Sequence, residues 1–405
     1  MRRFIIPLLC AVVGIIFAGC VAPAEAPPTT PTTPPTQPTA PTEPTTPATT
    51  PEPTNPYEGL AIKPDGTPYR FASLYVLLSV DTLVNHSGQV CSLIERAGGE
   101  YTELDADFDV QKQIDQVDDM IALQTVDGIF IEACEEDMLV PVCEKAEEAG
   151  ITVIEWDLKL HSDKVTSVIY HDFEGESGTN LIGEYLVQRA KDRGEQLQVF
   201  VGWCLRDMEM QWERYRGFMR PVDANPQWVN IVMESAETFG SNELTAEYVM
   251  DGFTAHPEMN AMYVICGGGS GAPEGLRAID RLQPYGHADH VITCLNDCDI
   301  VPVEQMDAGN IDAFLSHPNP DLGDVGVKIM FEALILGQSV PQKISLPMWL
   351  ITPENIEMEK YGAPGTWPRM IDKYGPDWDN WPILDTSELG IRTPTTELRM
   401  QYQGY

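Results

Sequence analysis

Residues 126–157 decide the fold: Val126-Asp127-Gly128-Ile129-Phe130-Ile131-Glu132, then Leu139 to Ala149, then Gly150-Ile151-Thr152-Val153-Ile154-Glu155-Trp156-Asp157. Each flank is a short β-branched and aromatic run that closes on a carboxylate, and the middle has the length and apolar spacing of a helix. This is strand, helix, strand. Strands joined by a helical crossover lie parallel in one sheet.

The same alternation extends in both directions. Strands are expected at Ala72 to Ser79, Glu100 to Leu104, Gly128 to Glu132, Thr152 to Trp156, Thr166 to His171, Gln198 to Val201, Val229 to Glu234, Ala261 to Ile265, His290 to Leu295 and Ala313 to Leu315. Helical spacing occupies Val110 to Leu123, Leu139 to Ala149, Asn180 to Lys191, Asn242 to Phe253 and Asp324 to Leu336. So many strands exceed one comfortable open sheet. The expected fold is α/β, with two doubly wound Rossmann-like lobes, each a parallel sheet covered by helices on both faces, joined by a hinge.

Open parallel sheets bind ligands at the loops beyond the carboxyl ends of their strands. Those positions hold Asp81, Glu132, Asp157, Asp172, Trp203, the glycine run from Gly267 to Gly271 including Gly268, Asn296 with Asp297, and His317. Singly, such carboxylates cap the helices that follow them. As a set, with an amide, an imidazole and an indole, they suit a neutral, hydroxyl-rich ligand that needs acceptors for its OH groups and flat apolar faces for its CH groups.

The order of segments resembles the type I periplasmic binding proteins, specifically the ribose/galactose-type solute-binding subunits of sugar ABC importers, from about Phe71 to Ile356. The resemblance rests on Asp109-x-x-x-Gln113 leading into Val126-Asp127-Gly128-Ile129, on Gly150 to Asp157, and on Asp172 before Gly183-Glu184-Tyr185. It continues through Arg214-Tyr215-Arg216-Gly217-Phe218, Ala255 to Ala261, Gly275-Leu276-Arg277-Ala278-Ile279 and Ile351-Thr352-Pro353-Glu354-Asn355. It implies that Asp157 accepts sugar hydroxyls from the first lobe and that Arg214 donates to hydroxyls or the ring oxygen. By the same resemblance Phe239 falls near a stacking aromatic, Asn296 replaces a typical Asp, and His317 lies near a hinge-side position. The chain departs from the pattern at Gly267 to Gly271, and again after the first strand, where Thr82-Leu83-Val84-Asn85-His86 puts Asn85 and His86 at the ligand.

Other motifs carry less chemistry. The glycine run lacks the third glycine of a dinucleotide fingerprint and the Lys-Ser/Thr of a P-loop, so it is expected to bring backbone near the ligand. Asp105, Asp107 and Asp109 imitate a calcium loop without its central glycine, and are expected to form a solvated loop capping the Val110 helix. No metal-hydrolytic or nucleophilic set is visible, so neither an enzyme nor a cofactor is expected.

Ahead of the folded part, Arg2 and Arg3 precede an apolar run from Phe4 to Phe17, closed by Ala18-Gly19-Cys20. This resembles a bacterial lipoprotein signal in which Cys20 carries the lipid; a plain secretory peptide or a short membrane anchor is the alternative. Pro23 to Pro56 is almost only Pro, Thr, Ala and Glu, a stalk that reaches about 100 Å if fully extended. The expected organisation is a signal at 1–19, lipidated Cys20 and stalk at 20–56, an N-terminal lobe at 57–172 plus about 317–346, and a C-terminal lobe and tail at 173–316 plus about 347–405. Of nine cysteines, Cys10 leaves with the signal and Cys20 is lipidated, and the odd remainder leaves at least one thiol unpaired.

The 405-residue chain carries 25 Lys+Arg against 62 Asp+Glu, a formal net charge of -37. An acidic excess of this size repels nucleic acid and anionic lipid, which bind through Lys and Arg. Arg214 is the only basic residue placed at the cleft, so the ligand is expected to be uncharged or cationic, a neutral sugar or polyol. The expected protein is a monomeric, exported receptor held by its lipid on the outer face of the cytoplasmic membrane, delivering solute to ABC permease subunits. A subunit presenting the same ligand to a membrane kinase or chemoreceptor is the alternative.

Overall fold

A computed structural model describes residues 58–356, apart from 79–80, 176, 266–267, 298–299, 317–318 and 347. The signal, Cys20, the stalk, the tail and His317 lie outside the described residues.

Two six-stranded sheets organise the described residues. The first contains β1 (Arg70–Tyr75), β2 (Glu100–Asp105), β3 (Gly128–Ile131), β4 (Thr152–Asp157), β5 (Ser167–His171) and β11 (Lys343–Leu346), in the order β11-β5-β4-β3-β1-β2. All its pairings are parallel. The second contains β6 (Leu197–Trp203), β7 (Val229–Glu237), β8 (Ala261–Val264), β9 (Ile292–Asn296), β10 (Ala313–Ser316) and β12 (Trp349–Ile351), in the order β12-β10-β9-β8-β6-β7. Only β12 runs antiparallel. The chain crosses between the sheets after β5, after β10 and between β11 and β12.

Helices cover both faces of each sheet, because a strand buried on two sides must be apolar on two sides. On the first sheet, α1 (Asp81–Arg96) and α9 (Asn319–Met330) bury Val90, Leu93, Ile94, Leu322, Val325 and Ile329 with Phe71, Phe130 and Trp156. On its other face, α2 (Val110–Leu123) and α3 (Val140–Glu148) supply Val117, Met120, Val142 and Ala146 against Ala72, Ile129 and Val153. The second sheet repeats the scheme. There α4 (Asn180–Arg193) and α5 (Glu209–Asp223) form one cover, and α6 (Asn242–Ala255), α7 (Ala272–Ala278) and α8 (Ile300–Asp307) form the other.

All ten expected strands are present, within a few residues at their ends, and two more join them. β11 and β12 are four and three residues long, and prolines at 341, 347 and 353 punctuate them like a loop. Helix α1 also departs from expectation, since Asn85, His86, Ser87 and Gly88 are poor helix formers. Its helical state follows from the apolar stripe Val90, Leu93 and Ile94 packed on β1 and α9, and packing of such a face outweighs propensity. Cys134, Cys143 and Cys294 are free, buried thiols that act as small core side chains. Among the described residues, no helix is long and apolar enough to cross a membrane.

Candidate functional site

In the first lobe, the carboxyl ends of β3, β4 and β5 bring Glu132, Asp157 and His171 together. Asp109 caps α2 by accepting from Lys112 N at 3.0 Å, and one turn later Gln113 clamps the loop after β3. Gln113 Nε2 donates to Glu132 O and its Oε1 accepts from Cys134 N, both at 2.8 Å. The Asp-x-x-x-Gln pattern thus fixes the backbone that carries Glu132. The Glu132 side chain accepts from Val76 N at 3.3 Å and shares a hydrogen bond with Asp157. Asp157 sits at φ 77, a left-handed conformation that a non-glycine residue adopts at some strain, with Oδ1 3.2 Å from Nε2 of the fully buried His171.

Two carboxyls so close in a buried place cannot both ionise freely. Burial, then the adjacent Asp157 charge, raise the Glu132 carboxyl well above its ordinary value, so Glu132 holds the proton shared with Asp157. Glu155, two residues before Asp157 on the same strand, is raised by burial and by the same charge. His86 is pushed down to about 3 by burial, which keeps it neutral. Its Nδ1 lies 3.1 Å from Tyr75 Oη, and its ring stands edge-on to Trp156 at 4.4 Å. His86 is therefore a buried core imidazole beside the acid pair.

One consequence is testable by pH. The unfolded Glu132 releases its proton near 4.5 while the folded one keeps it, so folding is penalised increasingly as pH rises above that value. Glu132→Gln preserves a donor toward Asp157 and removes the penalty. We expect the variant to be stabilised by about 1 kcal/mol, or about 2–4 °C in Tm, at pH 8, and by little at pH 5. A Tm difference that does not grow with pH in thermal denaturation would contradict the shared proton.

In the second lobe, Arg214 on α5 reaches the ends of β8 and β9. It is 4% exposed, its Nη1 donates to Ile265 O at 3.2 Å, and its two nitrogens meet the Asp297 carboxylate at 3.3 and 3.4 Å. The guanidinium lies over the Phe173 ring, 4.5 Å from its centroid. Asn296 is buried beside them, accepting from Tyr263 Oη at 3.4 Å and donating to Asp297 at 3.4 Å. Asp297 stands where the arginine would otherwise hold an uncompensated charge.

Placement differs for the remaining expected residues. Trp203 is 0% exposed and donates from Nε1 to Glu234 at 2.8 Å while packing on Trp212 and Tyr215, so it belongs to the wall between β6 and α5 and is not presented to the cleft. Its position ends a strand buried at every residue but Gln198, and the indole takes the interior face. Gly268 adopts φ 85, and a Cβ there would meet Gly240 O at 2.7 Å. A Cβ on Gly271 would strike Asn242 O, so the glycine run brings its backbone against the start of α6; that packing explains the glycines without a ligand. Asp172 faces Lys159, whose Nζ lies 3.3 Å from its carboxylate. Lys159 is thus a second cation at the strand ends besides Arg214, outside the set of cleft residues expected from the sequence. Asp81 opens α1, and Asn85 is half-buried on it.

Phe239 is 64% exposed at φ 53, just beyond the edge strand β7. Phe108, beyond the edge strand β2, matches it in the other lobe with φ 55 and an exposed ring. Each donates its backbone N–H to the carbonyl of the residue after the neighbouring strand, Phe108 to Val76 O and Phe239 to Cys204 O. Nothing in the sequence period marks Phe108, because turn residues carry no burial pattern.

The sequence profile of the family described as periplasmic binding protein domain matches residues 91–339. The D-ribose/D-allose-binding protein of Pseudomonas aeruginosa is 28% identical over 188 residues, covering 45% of this chain and 55% of that protein, so the match spans about half the relative's length. Among solved structures, a carbohydrate transporter solute-binding protein from Agrobacterium radiobacter in complex with D-arabinose superposes with a TM-score of 0.64 at 17% identity, over 74% of this chain and 99% of that one. The fructose-binding periplasmic domain of a hybrid two-component system superposes with a TM-score of 0.61 at 19% identity, over 71% of this chain and 91% of that one. At such identities the structural likeness is one of fold.

Proposed function

Because the chain belongs to the periplasmic binding protein domain family, we propose that it is an extracytoplasmic solute-binding protein that captures a small sugar or polyol and delivers it to an ABC importer. The observation that carries this reading is the pairing of polar sets at strand ends. Glu132 and Asp157 at the ends of β3 and β4 offer acceptors and one shared proton, and Arg214 with Asn296 at the ends of β8 and β9 offers donors. Such groups complement hydroxyls. Arg214 already faces Asp297, so the site holds no surplus positive charge from it, which favours an uncharged or cationic ligand over a phosphorylated one.

In this proposal the lobes are 57–172 with 317–346 and 173–316 with 347–405, and they close over the ligand by a hinge at the three crossings. Cys20 anchors the monomeric chain to the membrane, and no catalytic step is involved. The fold shared with the periplasmic domain of a two-component system favours, as a second reading, a subunit that presents the ligand to a membrane kinase.

Thermal-shift measurement over pentoses, hexoses, polyols, nucleosides and sugar phosphates tests the proposal. A neutral member at 100 times its Kd is expected to stabilise the protein by about 2.7 kcal/mol. Stabilisation by a sugar phosphate, with none by its neutral parent, would overturn the ligand class.

A further inference from the structure

Lys159 lies in the segment after β4, which is tied to the first lobe by Ser162 Oγ donating to Glu144 at 2.9 Å and by Gln342 Nε2 donating to Ser162 O at 2.8 Å. Its ammonium nonetheless reaches the second lobe, with Nζ 3.0 Å from Glu213 Oε1 on α5. The residue next to Glu213 is Arg214, and α5 is packed on its own lobe through Trp212, Tyr215 and Phe218. The same ammonium touches Asp172 in the crossing segment and stands 5.1 Å from the Tyr170 ring centroid. One lysine thus joins the first lobe, the crossing and the second lobe.

From this geometry we infer that Lys159 is a positioning residue, whose ion pair with Glu213 favours the arrangement in which the two halves of the ligand site face one another. The inference rests on the solute-binding reading above, through the hinge. Lys159 and Glu213 are both about three-quarters buried or more, with side-chain exposures of 26% and 17%, so water and salt screen them less than a surface pair. The surroundings are strongly acidic: Glu213 feels the charges of Glu174 and Asp172, and Glu136 feels that of Glu213. Arg216 pairs with Glu174 and with Glu209, leaving Lys159, among the described residues, as the cation that meets Asp172 and Glu213. Without its ammonium, Glu136 on the first lobe and Glu213 on the second would repel each other and separation of the lobes would relieve them. Attraction and repulsion therefore act in the same direction.

Hydrogen exchange read by mass spectrometry on the ligand-free full chain tests this without knowledge of the ligand. Lys159→Met should raise exchange about fivefold in both 158–162 and 206–213, the increase expected for losing about 1 kcal/mol of inter-lobe attraction, and Glu213→Gln, which also removes the repulsion from Glu136, should raise it in the same segments by a smaller factor. About 0.5 M NaCl should produce part of the same change in the wild type. Lys145→Met, which removes the exposed pair with Asp118 inside the first lobe, should leave those segments unchanged. Unaltered exchange in 206–213 in both variants, with a wild-type Tm, would overturn the inference. If a sugar from the thermal-shift screen binds, its Kd should weaken about fivefold in Lys159→Met and by a smaller factor in Glu213→Gln. A chain that binds no sugar would refute the functional reading, whereas tight, unaltered binding by Lys159→Met would refute the positioning role alone.

Discussion

Gly217→Ala is expected to destabilise the second lobe by about 3 kcal/mol, the upper part of the range for overpacking, because the obstacle is backbone. Gly217 lies on α5 where it passes the crossing segment after β5, and a Cβ there would collide with the Phe173 carbonyl and the Thr179 hydroxyl. That carbonyl already accepts from Thr179 N and Thr179 Oγ1, both at 3.0 Å, while the hydroxyl lies 2.6 Å from Arg214 O. The methyl group can be accommodated only by moving the crossing away from α5. Phe173, which carries the Arg214 guanidinium on its ring, would move with it. Denaturant unfolding should show the loss, and ligand affinity should fall alongside it. Adding Thr179→Ala removes one of the two collisions and is not expected to restore stability; full recovery would show that the backbone contact is unimportant.

Arg214→Met is expected to act on both binding and stability. Removing a charged donor to a sugar hydroxyl weakens binding by about 1.5–3 kcal/mol, a tenfold loss or more in Kd. A residue that served the ligand alone would leave stability unchanged when replaced. Burial of the guanidinium against Phe173 and its contact with Asp297 argue otherwise: the variant leaves the half-buried Asp297 carboxylate without its cation, for a loss of about 2 kcal/mol after allowing for its exposure to water. Calorimetry with the best sugar from the thermal-shift screen separates the two effects. A lowered Tm with wild-type Kd would assign Arg214 to the structure of the lobe and remove it from the site.

The strand–helix alternation, the two-lobed α/β class and the row of polar residues at strand ends were legible in the sequence. Each is a local signal: a period of two or 3.6 residues reports which face is buried, and a polar residue after an apolar run marks the end of a strand. Asp109 as a helix cap and Arg214 within Arg-x-x-Gly-Phe belong to the same class, since their spacing survives folding unchanged.

Tertiary structure alone decided which of those residues meet. Arg214 finds Asp297 across 83 positions and Lys159 finds Glu213 across 54, and no period connects such distances. Sheet order and twist set these partners. The same global choice turned Trp203 inward and used the glycine run for close packing against α6. It also made strands of β11 and β12, which are too short to show a strand period and form their ladders on the edges that β5 and β10 offer. Local pattern reports the surroundings a side chain needs, and only the assembled sheets supply its neighbours.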